Sequence, residues 1–148
     1  MNLSLREARA SDIDAIADIF LRSRQVALPF LPIVHTPQED RAHMQDMLAR
    51  GQITLAVLDE RAVGFLVDLK GWIAHLYLAP DVRRLGIGQA LLVDAKSKHQ
   101  RLELWCFQQN WAARAFYEKN GFVCVKETDG DNEEKLPDRL YRWQKKAD

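Results

Sequence analysis

Leu3-Ser4-Leu5-Arg6 alternates apolar and polar positions, the period of a strand with one face on a core, and predicts a first strand. The period then changes. Ile13, Ile16, Ala17 and Phe20 fall on one stripe at helical spacing, behind Ser11 as cap and Asp14 at the reciprocal position three residues on. The stretch 26–34 is apolar but interrupted by Pro29 and Pro32, which argues against a good helix or a central strand. Thr36-Pro37-Gln38-Glu39 combines a cap, a proline at the first helical position and a capping-box glutamate. The helix it opens carries Met44, Met47 and Leu48 and stops at Gly51.

Three strand-like runs follow, 53–58, 62–69 and 72–78, joined by Asp59-Glu60-Arg61 and Lys70-Gly71; turns this short make antiparallel neighbours. The run 89–98 places Leu91, Leu92 and Ala95 on one helical face. A strand over 102–107, a helix over 111–120 capped by Asn110 and closed at Gly121, a strand over 122–127, a polar loop over 128–138 and a last strand over 140–143 complete the pattern. The expected fold is α+β: one mixed, mostly antiparallel sheet of about seven strands with helices on both faces. With 148 residues and neither internal repeat nor linker, a single domain over 1–148 is expected.

Composition narrows the possible partners. Hydrophobic residues make up 47% and charged residues 28%, as in an ordinary globular protein. Lys+Arg and Asp+Glu balance at 21 each, which argues against a nucleic acid or an anionic membrane as partner. No apolar run approaches the roughly 20 residues of a membrane span, and the N-terminus lacks a signal-peptide core, so a cytoplasmic location is expected. Cys106 and Cys124 sit in apolar strand-like runs and read as buried, reduced thiols. His35, His43, His75 and His99 show no metal-ligand spacing, and no metal is expected.

The candidate chemistry begins at Arg83-Arg84-Leu85-Gly86-Ile87-Gly88, between a strand and a helix. Such a turn offers free backbone N–H groups at the positive end of the helix dipole, a site for phosphate. A dinucleotide fingerprint needs a third glycine where Leu91 stands, and a Walker loop needs Gly-Lys-Ser/Thr where Gly88 is followed by Gln89-Ala90. What is left is Arg-x-x-Gly-x-Gly, which by itself also fits a tight turn with glycines for packing.

A second segment, Asn110 to Phe122, changes that balance. Leu76-Tyr77-Leu78-Ala79-Pro80 with the Arg83–Gly88 turn, followed by Asn110, Ala113, Phe116, Tyr117, Gly121 and Phe122, resembles the GCN5-related N-acetyltransferase (GNAT) superfamily over about residues 62 to 127. The tail, through Asn132-Glu133-Glu134-Lys135 to Tyr141 and Trp143, resembles a set of bacterial members. Two departures stand out: Arg84 occupies a position where many relatives have glycine, and Trp72 one where relatives often carry a glutamate base.

The resemblance implies an acetyl-CoA-dependent acetyltransferase acting by direct attack on an amine of a small molecule, peptide or protein, in a monomer or homodimer. A non-catalytic acyl-CoA sensor of the same fold is the alternative. Implied coenzyme contacts are Leu76, Tyr77, Leu78, Arg83, Arg84, Leu85, Gly86, Ile87, Gly88, Gln89, Ala90, Asn110, Ala113, Phe116 and Tyr117. The central strands are implied to splay and admit the pantetheine arm. Tyr117 matches the superfamily's general acid, and also reads as a core aromatic. His75, His35 and Glu103 are candidate bases beside a plain water chain, since an alkyl ammonium is free base only about once in two thousand at neutral pH. An acceptor pocket is expected among Phe30, His35, Trp72, Trp105 and the 128–138 loop. The acids there, Asp129, Asp131, Glu133 and Glu134, would either attract a cationic amine or simply be solvated.

Overall fold

The computed structural model describes residues 2–27, 29, 30 and 35–146. Its elements are β1 (Leu3–Glu7), α1 (Ile13–Ala27), α2 (Pro37–Arg50), β2 (Gln52–Leu58), β3 (Arg61–Leu69), β4 (Trp72–Leu78), α3 (Ile87–Lys98), β5 (Arg101–Phe107), α4 (Trp111–Lys119), β6 (Val123–Thr128) and β7 (Asp138–Gln144). The strands form one seven-stranded sheet in the order β1-β2-β3-β4-β5-β7-β6.

The first half of the sheet is an antiparallel meander. Its two tight turns place Asp59 and Glu60 at φ 48° and 70°, and Lys70 and Gly71 at 56° and 93°. Paired left-handed residues match the right-handed twist of the strands they join. β5, β7 and β6 form a second antiparallel set. The two sets are joined by β4 and β5, which run parallel and pair only at Trp72 and Glu103.

Each face of the sheet buries its own core. On one side Ile13, Ile16, Ile19 and Phe20 of α1 and Met44 and Met47 of α2 pack on Ile53, Leu55, Phe65 and Val67. On the other, Ile87, Leu91, Leu92 and Ala95 of α3 and Tyr117 of α4 pack on Val63, Leu66, Ile73, Leu102 and Leu104. A bulge at Ala74, where Val67 pairs with His75 and Asp68 with Ile73, shifts the face alternation of β4 by one residue. Ile73, Leu76 and Leu78 therefore meet the α3 core, while Ala74 and Tyr77 meet the α1–α2 core.

The second helix starts as its cap pattern predicts, with Glu39 N–H donating to Thr36 Oγ1 at 3.1 Å and Thr36 N–H to Glu39 Oε1 at 2.9 Å. The first does not. Ser11 lies inside a single 3-10 turn, Ala10–Asp12, and the capping carboxylate is Asp12. Asp12 accepts Arg9 N–H at 2.8 Å and both Arg6 Nη1 and Nη2 at 2.9 Å. α1 also runs through the first residues of the proline-broken stretch; Leu31, Pro32, Ile33 and Val34 lie outside the described residues. Cys106 is buried as expected, but Cys124 is exposed, because β6 is an edge strand with its side chains largely in solvent.

The Arg6 hydrogen bonds hold the Asp12 carboxyl down to about 2. A depressed folded-state value gives stability that is present above the unfolded value near 4 and is lost as pH falls toward 2. Asp12→Asn should therefore lower stability by about 1–2 kcal/mol at neutral pH, and the deficit should shrink in urea melts run from pH 5 down to pH 2.

Candidate active site

The single pairing of β4 with β5 defines a wedge. Its closed end is tied by Glu103 N–H to Gly71 O at 3.0 Å, by Gly71 N–H to Asp68 Oδ1 at 2.8 Å and by Asp68 Oδ2 to His99 Nε2 at 2.6 Å. Toward the other end the strands diverge and leave a cleft of about 110 Å³, lined by Ile73 to Tyr77, Leu104 to Phe107, Asn110, Ala113 and Tyr117. Ala79 N–H bonds to Val63 O at 2.7 Å, so the alternation of an antiparallel strand turns the backbone polar groups of Leu76 and Leu78 away from β3 and toward the gap.

At the open end the chain passes through Arg83-Arg84-Leu85-Gly86 into α3. Among the described residues, the N–H groups of Ile87, Gly88 and Gln89 have no backbone acceptor; the helical ladder begins with Ala90 N–H to Gly86 O at 3.0 Å. Gly86 caps the helix at φ +79°, and a Cβ built on it meets no atom within 4 Å, so the space above it is open. Gly88 is small for a different reason: a Cβ there would lie 3.2 Å from Phe116 Cζ, where α3 leans on α4. Arg83 and Arg84 are exposed and make no hydrogen bond or ion pair among the described residues. Arg84 stands at φ +66°, a left-handed position that costs a side chain about 1–2 kcal/mol. Arg84→Gly should raise stability by about 0.5–1 kcal/mol, readable as a higher thermal midpoint.

On the α4 side of the wedge, Asn110 Oδ1 accepts Ala113 N–H at 3.2 Å and starts the helix that carries Tyr117. The Tyr117 ring is buried among Phe116, Phe122 and Tyr141, at centroid distances of 5.3, 5.6 and 6.2 Å. Its hydroxyl has no hydrogen-bond partner among the described residues, yet the residue lines the cleft. Burial pushes its pKa well above that of a free phenol, so it stays protonated. Cys106 lines the same cleft, and burial pushes its thiol up to about 12. At neutral pH it is therefore a thiol, a poor nucleophile.

The opposite side carries different chemistry. His75 projects toward α1 and α2, edge-on to Phe20 at 5.1 Å, and its Nε2 lies 2.8 Å from Nε2 of His43. Burial, then the charges of His43 and Arg24, drives its pKa down to about 3, so the ring is neutral at physiological pH. Burial likewise lifts the neighbouring Tyr77 phenol to about 12. Trp105, 42% exposed, meets Trp72 at 6.5 Å; Trp72 itself sits at the closed end of the wedge and does not line the cleft. Phe30 stands perpendicular to Phe107 at 6.4 Å. Glu103 is engaged by Arg142 Nη2 at 3.3 Å.

The acidic loop is more ordered than its composition suggests. Asn132 Nδ2 donates to Leu136 O and Asp138 Oδ2, Asn132 Oδ1 accepts Leu136 N–H, and the buried Asp138 carboxylate takes the Thr128 hydroxyl. This frame aims Glu133 at His35 Nε2, 2.8 Å away, and Glu134 at the half-buried Arg24, 3.6 Å away. The Glu133 contact, reinforced by Glu39, raises the His35 pKa. Both His35 nitrogens face carboxylates, and His35 does not line the cleft. Asp129 and Asp131 make no ion pair among the described residues.

A parallel strand pair opened into a wedge, with a glycine-bearing helix start at its mouth, is the arrangement of an acyl-coenzyme A transferase. The family model for the acetyltransferase (GNAT) domain matches residues 49–124, and the chain belongs to that family. It is 29% identical over 140 residues to the peptidyl-lysine N-acetyltransferase YiaC of Escherichia coli (strain K12), covering 94% of this chain and 95% of that protein. The solution structure of apo YjaB from Escherichia coli superposes with a TM-score of 0.78 at 26% identity, over 99% of this chain and 100% of that one. PaiA N-acetyltransferase from Thermoplasma acidophilum, solved with coenzyme A, shares the fold at a TM-score of 0.76 and 18% identity, over 97% of this chain and 99% of that one. The chain is an acetyltransferase of the GNAT family.

Proposed function

We propose that this acetyltransferase moves the acetyl group of acetyl-CoA to the side-chain amine of a peptide or protein lysine, by direct attack within a ternary complex. The lysine assignment is supported by the names of relatives that align over most of this chain, the peptidyl-lysine N-acetyltransferases YiaC and YjaB. Direct attack is supported by the protonated state of Cys106, the cysteine that lines the cleft.

The residues present fit the coenzyme. Free N–H groups of Ile87, Gly88 and Gln89, the open space above Gly86 and the uncommitted Arg83 and Arg84 suit its diphosphate. The unpaired backbone of Leu76 and Leu78 suits an extended, strand-like arm, with one N–H directed at an acyl oxygen. When bound, acetyl-CoA supplies an activated thioester carbonyl. Asn110, Ala113 and Phe116 form the helical wall beside the arm, and Tyr117 holds the proton that a departing thiolate needs. Phe30, Phe107 and Trp105 line the acceptor's approach, where they can pack on the aliphatic stem of a lysine.

The observation that carries this reading is the buried Tyr117, which lines the wedge and whose hydroxyl has no hydrogen-bond partner among the described residues. An acyl-CoA sensor would need no proton donor there. The test is release of free coenzyme A thiol with lysine peptides, free lysine and polyamines offered in parallel. Peptides should release thiol and gain an acetyl group. Coenzyme binding without thiol release from any amine would leave the sensor standing instead.

A further inference from the structure

His43 on α2 and His75 on β4 meet Nε2 to Nε2 at 2.8 Å, with ring planes nearly perpendicular. Two imidazoles hold that distance only when one nitrogen carries the proton and the other offers its lone pair; with both protonated, two N–H groups would collide. The pair is therefore neutral or singly charged. The groups around it decide where an extra charge rests. From α1, Phe20 stacks edge-on against His75, and the Arg24 guanidinium lies 4.7 Å over the Phe20 ring. From β4, Tyr77 leans on His75 at 6.0 Å. From α2, the buried Asp40 lies one turn from His43. From the loop between β6 and β7, Glu134 is taken up by Arg24. Burial and the charge of Arg24 oppose charge on His75, while His43 is exposed to solvent. His75 is among the residues that line the wedge and His43 is exposed, so the pair lies between the cleft and solvent.

We infer that His75 and His43 form a two-ring proton exit for the acceptor amine, a role that rests on the acetyl-transfer reading above. The N–H bond of the acceptor ammonium breaks as an N–H bond forms on the free ring nitrogen of His75. The Nε2 proton of His75 shifts to Nε2 of His43, and His43 releases a proton to water. One proton leaves the amine, one enters solvent, and no redox change occurs. His75 is then a catalytic residue, and His43 a positioning residue that acts through it.

The experiment combines turnover with ring spectroscopy. With a lysine peptide, His75→Gln should lower kcat about a hundredfold and His43→Gln about tenfold, with the KM for acetyl-CoA unchanged and the acidic limb of the pH–rate profile altered in both. Added imidazole should restore much of the rate lost in His43→Ala. Independently of turnover, nitrogen-15 spectra of the wild-type rings near pH 7 should show one Nε2 protonated and the other bare, as the 2.8 Å contact requires. Wild-type kcat and an unaltered profile in both glutamine variants would overturn the exit while leaving acetyl transfer intact. Two protonated or two bare Nε2 atoms would overturn it as well. A wild-type protein that acetylates no amine would remove both readings.

Discussion

Tyr117→Phe should lower kcat by about a hundredfold or more while the protein remains folded. Both halves of that expectation come from the same hydroxyl. It makes no hydrogen bond among the described residues, so its removal leaves no orphaned partner and costs less than about 1 kcal/mol of stability. The ring that remains still packs on Phe116, Phe122 and Tyr141. In the proposed reaction, however, the departing thiolate loses its proton donor. The KM for acetyl-CoA should change little, since the lost interaction belongs to the later part of the reaction. A Tyr117→Phe enzyme with wild-type kcat would remove the phenol from the chemistry and return it to the core. A variant that loses turnover together with its cooperative melt would show instead that the ring is structural.

Gly86→Val should weaken acetyl-CoA binding by about 100- to 1000-fold. The left-handed φ of +79° at the start of α3 is open to glycine and costs a branched side chain about 2 kcal/mol, so the turn must reshape. Reshaping it redirects the N–H groups of Ile87, Gly88 and Gln89. Losing even one or two hydrogen bonds to a charged phosphate, at about 1.5–3 kcal/mol each, accounts for the predicted range. The new side chain would also fill the space above Gly86 that no atom of the described residues occupies within 4 Å. Calorimetric titration measures this directly, and wild-type affinity in Gly86→Val would place the diphosphate elsewhere.

Local chemistry made much of this legible in advance. The Thr36 capping box, the Asn110 cap, the two tight hairpin turns and the Gly86 turn each depend on residues within about four positions of one another, and each is found as the residue pattern predicts. The seven strands and the two helical faces follow from hydrophobic period. What stayed hidden depends on distance along the chain. The His43–His75 contact spans 32 residues and joins α2 to β4; the sequence says of His43 only that it has no metal-ligand spacing. The bulge at Ala74, which sets the faces of β4, has no local signal, because alanine neither demands nor forbids it. Ser11 is an acceptable cap by type, but the backbone N–H bond goes to Asp12, which Arg6 of β1 holds in place. The acidic loop looks solvated in composition, but Asn132 and Asp138 organise it from within, and Arg24 of α1 receives Glu134.

Amide chemical shifts during titration with acetyl-CoA test the central claim most directly, because the proposed coenzyme contacts are chiefly main-chain groups. The largest movements should fall at Leu85 to Ala90 and at Leu76 to Leu78, with a further set at Asn110 to Tyr117 on the far wall of the wedge. A well-folded protein whose amides at these positions stay still, or whose shifts gather on another face of the sheet, would contradict it.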